Sequence, residues 1–125
     1  MVSACSNARL SPEKAKARGD VVVDYGVIGN MDKLDQFIAN VTANTASKIR
    51  VTRYTMEGDP IFIDLHYDGK QLLVNIDSSL DTYGGGINKS TCTGIVRAVG
   101  VDGDHYNLVG CQPANIGELL VVPKG

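Results

Sequence analysis

Basic charge is the first thing this sequence lacks. Lys and Arg number 12 against 14 Asp and Glu, a formal net charge of -2. The two signs are interspersed, so no basic face is available to neutralise a phosphate backbone, and nucleic acid is not an expected partner. No apolar run approaches the roughly 20 residues that a bilayer-spanning helix needs. Any membrane attachment must then come through covalent lipid. The two histidines, His66 and His105, do not cluster with the three cysteines, and no CxxC spacing occurs, which argues against a zinc site. No GxSxG elbow is present, so that serine-hydrolase signature is missing. With no assembled nucleophile pattern, no catalytic residue is assigned, no cofactor or metal is expected, and the chain is read as a non-enzyme.

What is present begins at the amino end. Val2-Ser3-Ala4-Cys5 is an aliphatic residue, two small residues and a cysteine, the pattern at which bacterial lipoproteins are cleaved and acylated. It marks Cys5 as a lipidation site. The charged and apolar parts of a working signal would precede Met1. The expected location is extracytoplasmic, on the outer face of the cell membrane. Cys92 and Cys111 are the other two cysteines, and an oxidising exterior favours a disulfide between them.

At 125 residues the chain has room for one domain with one core. Residues 1–19 are expected to be the lipoprotein-type terminus and a tether, with at most a short helical turn after Pro12, and 20–125 the single domain. Arg18-Gly19-Asp20 spells an adhesion tripeptide, but it runs straight into Val21-Val22-Val23, a strand, instead of standing on a loop tip. Asn30 is placed to cap a helix by accepting from a first-turn amide. Met31, Leu34, Phe37, Ile38 and Val41 then fall on one helical face.

After Ser47 the period changes to alternation. Ile49 and Val51 alternate with polar residues, and Glu57-Gly58-Asp59-Pro60 makes a turn. In the next strand Ile61, Ile63, Leu65 and Tyr67 share one face, while Phe62, Asp64 and His66 share the other. Asp68-Gly69 predicts a two-residue hairpin that sets Leu65 opposite Leu72, Ile63 opposite Val74 and Ile61 opposite Ile76. Asp77 to Ser90, polar and glycine-rich, is expected to be a long loop. A second hairpin around Gly100-Val101-Asp102-Gly103 pairs Val99 with Asp104 and Ile95 with Leu108, and puts Cys92 opposite Cys111. Glu118 to Val122 is a last strand, stopped by Pro123. The expected fold is α+β: one amphipathic helix packed on a curved antiparallel β-meander, in an order like that of cystatins.

Several separated motifs carry a resemblance. Thr55-Met56-Glu57-Gly58-Asp59-Pro60-Ile61, Leu65-His66-Tyr67-Asp68-Gly69-Lys70, Asp77-Ser78-Ser79-Leu80-Asp81 with Tyr83-Gly84-Gly85, Thr91-Cys92-Thr93-Gly94-Ile95 and Leu108-Val109-Gly110-Cys111 occur in that order. From about Gly19-Asp20 to Cys111 the chain resembles a family of small Bacillus-type lipoproteins and secreted proteins known only as a domain of unknown function. The resemblance implies one helix, then a β-rich half with two cysteines, in a Gram-positive bacterium. It brings no activity, substrate or catalytic residue to transfer.

Two candidate sites remain. Asp64 and His66 project from one strand face, and with Asp77 and Asp81 from the next segment they would make an oxygen-rich cation site, yet turn duties already account for most of these carboxylates, and no metal site is assigned. Gly84-Gly85-Gly86-Ile87-Asn88-Lys89-Ser90 fails as a phosphate loop, because Asn88 replaces the glycine before the lysine and a strand follows. As a long loop it is instead a candidate ligand loop, with Asp77, Asp81, Tyr83, Gly84 and Gly85 as its contacts. The function expected is a lipid-anchored cell-surface module that binds an extracytoplasmic protein or a small ligand. The alternative is a small secreted hydrolase or a protease-inhibitor-like protein.

Overall fold

The computed structural model describes residues 10–80, 85–113 and 118–123. The chain starts with a short helix, α1 (Pro12–Ala17), because Ser11 accepts the Lys14 amide at 3.2 Å and Pro12 presets the first helical turn. Ala15 of α1 is fully buried, so the stretch read as a tether packs on the body through this helix. Two short strands follow, β1 (Val21–Asp24) and β2 (Val27–Gly29), joined at Tyr25-Gly26, both of which have positive φ. This hairpin is not foreseen from the sequence, since an aromatic residue at such a turn is not the usual signal.

The main helix, α2 (Met31–Thr42), buries Leu34 and Phe37, with Met31, Ile38 and Val41 packed around them as the periodicity predicts. Asn30 does not cap it as expected. Its backbone is left-handed (φ 61°), its side chain accepts nothing from the first turn, and Nδ2 donates instead to the Lys16 and Asp20 carbonyls at 2.9 and 2.8 Å. One carbonyl lies in the last turn of α1 and the other just before β1, so bonding both from the residue that precedes α2 sews three elements together.

β3 (Ser47–Tyr54), β4 (Pro60–Tyr67), β5 (Leu72–Asp77) and β6 (Ile87–Cys92) complete a six-stranded sheet in the order β2-β1-β3-β4-β5-β6. The expected all-antiparallel meander is corrected at β1, which runs parallel to β3 with Val22 opposite Thr52. A parallel pair needs a crossover, and α2 supplies it while covering the sheet. A second correction concerns the β4–β5 register: Tyr67 faces Leu72, Leu65 faces Val74 and Ile63 faces Ile76. The turn has four residues, because the Asp68 carboxylate accepts the Lys70 and Gln71 amides at 2.8 and 2.7 Å and draws both into the loop. A shift of two leaves every side chain on its predicted face, since the strand period is two. A third correction concerns the long loop, which ends before β6. Ile87, Asn88 and Lys89 in the first half of β6 are all exposed, so that half of the edge strand shows no alternation to read.

Past Thr93 the chain enters a three-stranded antiparallel sheet, β7 (Gly94–Val99), β8 (Gly103–Val109) and β9 (Glu118–Pro123), in that order. The predicted second hairpin register holds: Val99 faces Asp104 and Ile95 faces Leu108. Thr91 and Gln112 exchange both backbone hydrogen bonds, at 3.0 and 2.8 Å. The next pair inward is therefore a close, non-hydrogen-bonded one, and there Cys92 and Cys111 form their disulfide. Gly110 beside it has φ 66°, and any Cβ would run into Thr93. The bridge thus stands where the two sheets meet. One buried cluster draws on Leu34 and Phe37 of α2, Val51, Ile63 and Leu65 of the large sheet, and Tyr106, Leu108 and Leu120 of the small one. The fold is mixed α/β, with one main helix and a mostly antiparallel, β-rich body.

Candidate functional site

Alternation that sends Val51, Ile63, Leu65 and Val74 inward sends a polar set to the other side of the six-stranded sheet. Registers align these outer residues in rows. Lys48, His66, Leu73 and Thr91 form one row across β3 to β6, and Arg50, Asp64, Asn75 and Lys89 form the next. In the second row Arg50 grips Asp64 with two bonds, Nε to Oδ1 at 2.6 Å and Nη2 to Oδ2 at 3.1 Å. The Asp64 bond raises the Arg50 pKa above its ordinary value, against the opposing effect of burial. The Phe62 ring carries the Arg50 guanidinium at 5.0 Å and that of Arg18 at 5.7 Å. Arg18 also pairs with the buried Asp20 at 2.8 Å, and Asp20 accepts the Thr52 hydroxyl at 2.8 Å. The adhesion-like tripeptide is thus locked into the sheet.

Asp64 and His66 form a ridge between two hollows. One, of about 470 Å³, lies toward Arg18 and Lys48. The other, of about 330 Å³, has Leu73 and Asn75 as its floor and Lys89, Thr91 and Gln112 along its far wall. That volume is in the range that holds a small molecule. Asn75 Oδ1 is buried and has no hydrogen-bond partner among the described residues. Such an acceptor is costly to leave unpaired, by about 1–3 kcal/mol. Among the described residues no ion pair involves Lys89, which stands directly opposite Asn75, and Leu73 offers an exposed apolar surface in the adjoining row. The arrangement provides a cation, an unfilled acceptor and an apolar floor. Asp64 has both oxygens engaged by Arg50, so it brings no free ligand to a cation, and among the described residues no three His, Cys, Asp or Glu gather as a metal site.

The residues singled out from the sequence fall elsewhere. Asp77 accepts the Ser79 amide and hydroxyl at 3.0 and 2.6 Å, closing a local turn, and these bonds hold its carboxyl below the usual carboxylate pKa. Gly85 is fitted against Ser78 with φ 155°, where a Cβ would collide. Both stand at the Phe62 end of the strands, away from the Leu73 hollow. Asp81, Tyr83, Gly84 and Cys5 lie outside the described residues. His105, at the turn exit, pairs with Asp102 at 2.8 Å. That bond lowers the Asp102 pKa. Asn75, Lys89 and Gln112 are the residues that sequence reasoning missed. The one signal available is Asn75 itself, a polar residue inside the run Leu72-Leu73-Val74-Asn75-Ile76.

The model of one protein family, described as Domain of unknown function (DUF4362), matches residues 18–107. The chain belongs to that family. No curated protein and no solved structure matches it.

Proposed function

We propose that this member of the DUF4362 family is a binding module held on the outer face of the cell membrane by lipid on Cys5, and that it takes a small ligand in the Leu73–Asn75 hollow. The observation that carries the binding reading is the buried Asn75 Oδ1, without a hydrogen-bond partner among the described residues, beside Lys89 and next to the apolar Leu73. A ligand that fits must donate a hydrogen bond to Asn75, present an anionic or strongly accepting group to Lys89, and lay an apolar portion on Leu73. The location is supported by Val2-Ser3-Ala4-Cys5 and by the Cys92–Cys111 bridge, which belongs to an oxidising compartment.

The protease-inhibitor alternative rests only on the cystatin-like order expected from the sequence, while β1 runs parallel to β3, and fold likeness would bring no inhibitor site with it. The alternative of a small hydrolase would need a nucleophile paired with a base, and the Ser90 hydroxyl beside the hollow is engaged by the Pro113 carbonyl at 3.0 Å.

The binding reading is tested by a melting screen of small carboxylates, acylated amino acids and sugar acids. A hit should raise Tm, and Asn75→Ala and Lys89→Ala should each abolish the rise while changing the unliganded stability by no more than about 1 kcal/mol. A ligand shift that survives both substitutions moves the site elsewhere, with Tyr83, between β5 and β6 in the sequence, the next residue to change. Substrate turnover lost in His66→Ala would replace the module by an enzyme. In the full precursor, Cys5→Ser should release the protein from membranes, and a wild-type precursor free of fatty acid would end the anchor reading.

A further inference from the structure

The most exposed apolar side chains of the described residues gather at one end of the fold. β1 and β3 run parallel and leave the sheet at the same end, so the β1–β2 and β3–β4 turns emerge side by side. The first brings Tyr25 and Val27, the second Met56. Gly103 at the β7–β8 turn pairs with Pro123, and Pro123 lies against Gly26, which brings Val99 and Val101 to the same place. These five side chains are 67% to 94% exposed. An apolar surface of this kind, at the tips of turns, marks an interaction site more often than a structural one.

Tyr25 sharpens the point. Its φ is 50°, a left-handed backbone that a bulky residue seldom adopts and that Asn or Gly fills at such turns. Its hydroxyl donates to the Met56 carbonyl at 2.6 Å, so the aromatic ring is fixed between the two turns instead of being buried. An aromatic held out in a strained backbone suggests a use for it.

The chain also enters at this end. Tyr54, the last residue of β3, donates its hydroxyl to the carbonyl of Leu10. Cys5 lies five residues upstream of Leu10, a reach of at most about 18 Å when extended. A lipid on Cys5 therefore holds this end of the molecule near a bilayer, and not the other.

We propose that this end is a membrane-resting surface: Tyr25, Val27, Met56, Val99 and Val101 lie in the interfacial layer of the bilayer. The inference takes its setting from the lipid-anchor reading of Cys5. Asp24, Glu57 and Asp102 adjoin the tips, so the surface suits a neutral interface and gains nothing from anionic lipid. The tips are too small to hold the protein alone. Tethering raises their local concentration at the bilayer, so that they set orientation. The strands then stand away from the membrane, with His66 and Leu73 near their far ends and the hollow open to the exterior.

The chain contains no tryptophan, so single-tryptophan reporters read without background. With the Cys92–Cys111 bridge intact, the thiol of Cys5 in the full chain is coupled to a maleimide phospholipid in phosphatidylcholine vesicles that carry brominated acyl chains. Tryptophan emission from Met56→Trp and Val101→Trp should be quenched about twofold more than that from Gln71→Trp at the opposite end. Adding Met56→Asp to Val101→Trp should erase the difference, and replacing a quarter of the lipid by phosphatidylglycerol should not enlarge it. Equal or reversed quenching overturns the proposal. So does a dimer in the absence of vesicles that Met56→Asp dissociates, for the tips would then meet a second copy. Because the lipid is attached chemically, a native precursor without fatty acid would remove the anchor reading and leave the orientation result standing.

Discussion

The β4–β5 hairpin and the β7–β8 hairpin stand on either side of β6 in the sequence, yet their registers are held by different means. In the first, Ile63, Leu65, Tyr67, Leu72 and Val74 are all buried, so a slip of one residue would turn this whole set outward. In the second, Val96, Arg97, Ala98 and Val99 on the outer strand are exposed and only Ile95 packs against the core. Burial there penalises a slip far less. A covalent bridge at the base, Cys92 to Cys111, takes over the task. The comparison teaches that burial pins register where a strand has two covered neighbours, and that an edge strand needs another device.

The largest test of this contrast is Leu65→Ala against Ile95→Ala. Leu65 is fully buried and faces Val74, so its truncation should cost about 2–5 kcal/mol by urea denaturation, as cavity-forming changes do. Ile95→Ala, at a partly buried edge position, should cost no more than about half that. Equal losses would break the contrast, because β7 would then be as much a part of the core as β4.

Removing the bridge comes next. Cys92 and Cys111 are 19 positions apart, and for a loop of that size chain entropy gives about 3 kcal/mol. Cys92→Ala with Cys111→Ala should lower stability by that order. Hydrogen exchange should show where: amides of β7 and β8 should lose protection while those of β4 and β5 keep theirs. A uniform loss across both hairpins would mean that the bridge acts on the unfolded chain alone and does not hold register.

Much of this fold is legible in the sequence, and for identifiable reasons. The inward face of α2, the alternation in β4 and the second hairpin's register all follow from short-range periodicity and a glycine-flanked turn. The strand β6 is not legible, because its exposed Asn88 and Lys89 carry no pattern, and neither is the parallel β1–β3 pair, which depends on where α2 delivers the chain. Asn30 and Asp68 show a subtler limit. Each is identified as a polar residue at a boundary, but which atoms it bonds depends on partners that the sequence does not place beside it. The candidate hollow is the least legible part, since Asn75, Lys89 and Gln112 meet only through the pairing of three separate segments.

The smallest expected effect concerns the turn that moves the first hairpin by two residues. The Gln71 amide, and after it the Lys70 amide, hold the Asp68 carboxyl below its ordinary pKa. For a carboxylate whose folded pKa lies below its unfolded one, the contribution to stability is complete above the unfolded value, about 3.9. It fades as the pH falls through the folded value and is gone below it. Acid should therefore loosen the Asp68–Gln71 turn before the buried strands beside it, and the protection of the Lys70 and Gln71 amides, measured against their intrinsic exchange rates, should fall below pH about 4. Asp68→Asn keeps an accepting oxygen at the same place but does not titrate. It should preserve the pairing of Tyr67 with Leu72 and flatten this part of the acid response, while Asp77 and Asp102, also held low, continue to titrate. Unchanged acid sensitivity of those two amides in Asp68→Asn would show that the carboxylate does not hold the turn, and that burial alone fixes the register of β4 against β5.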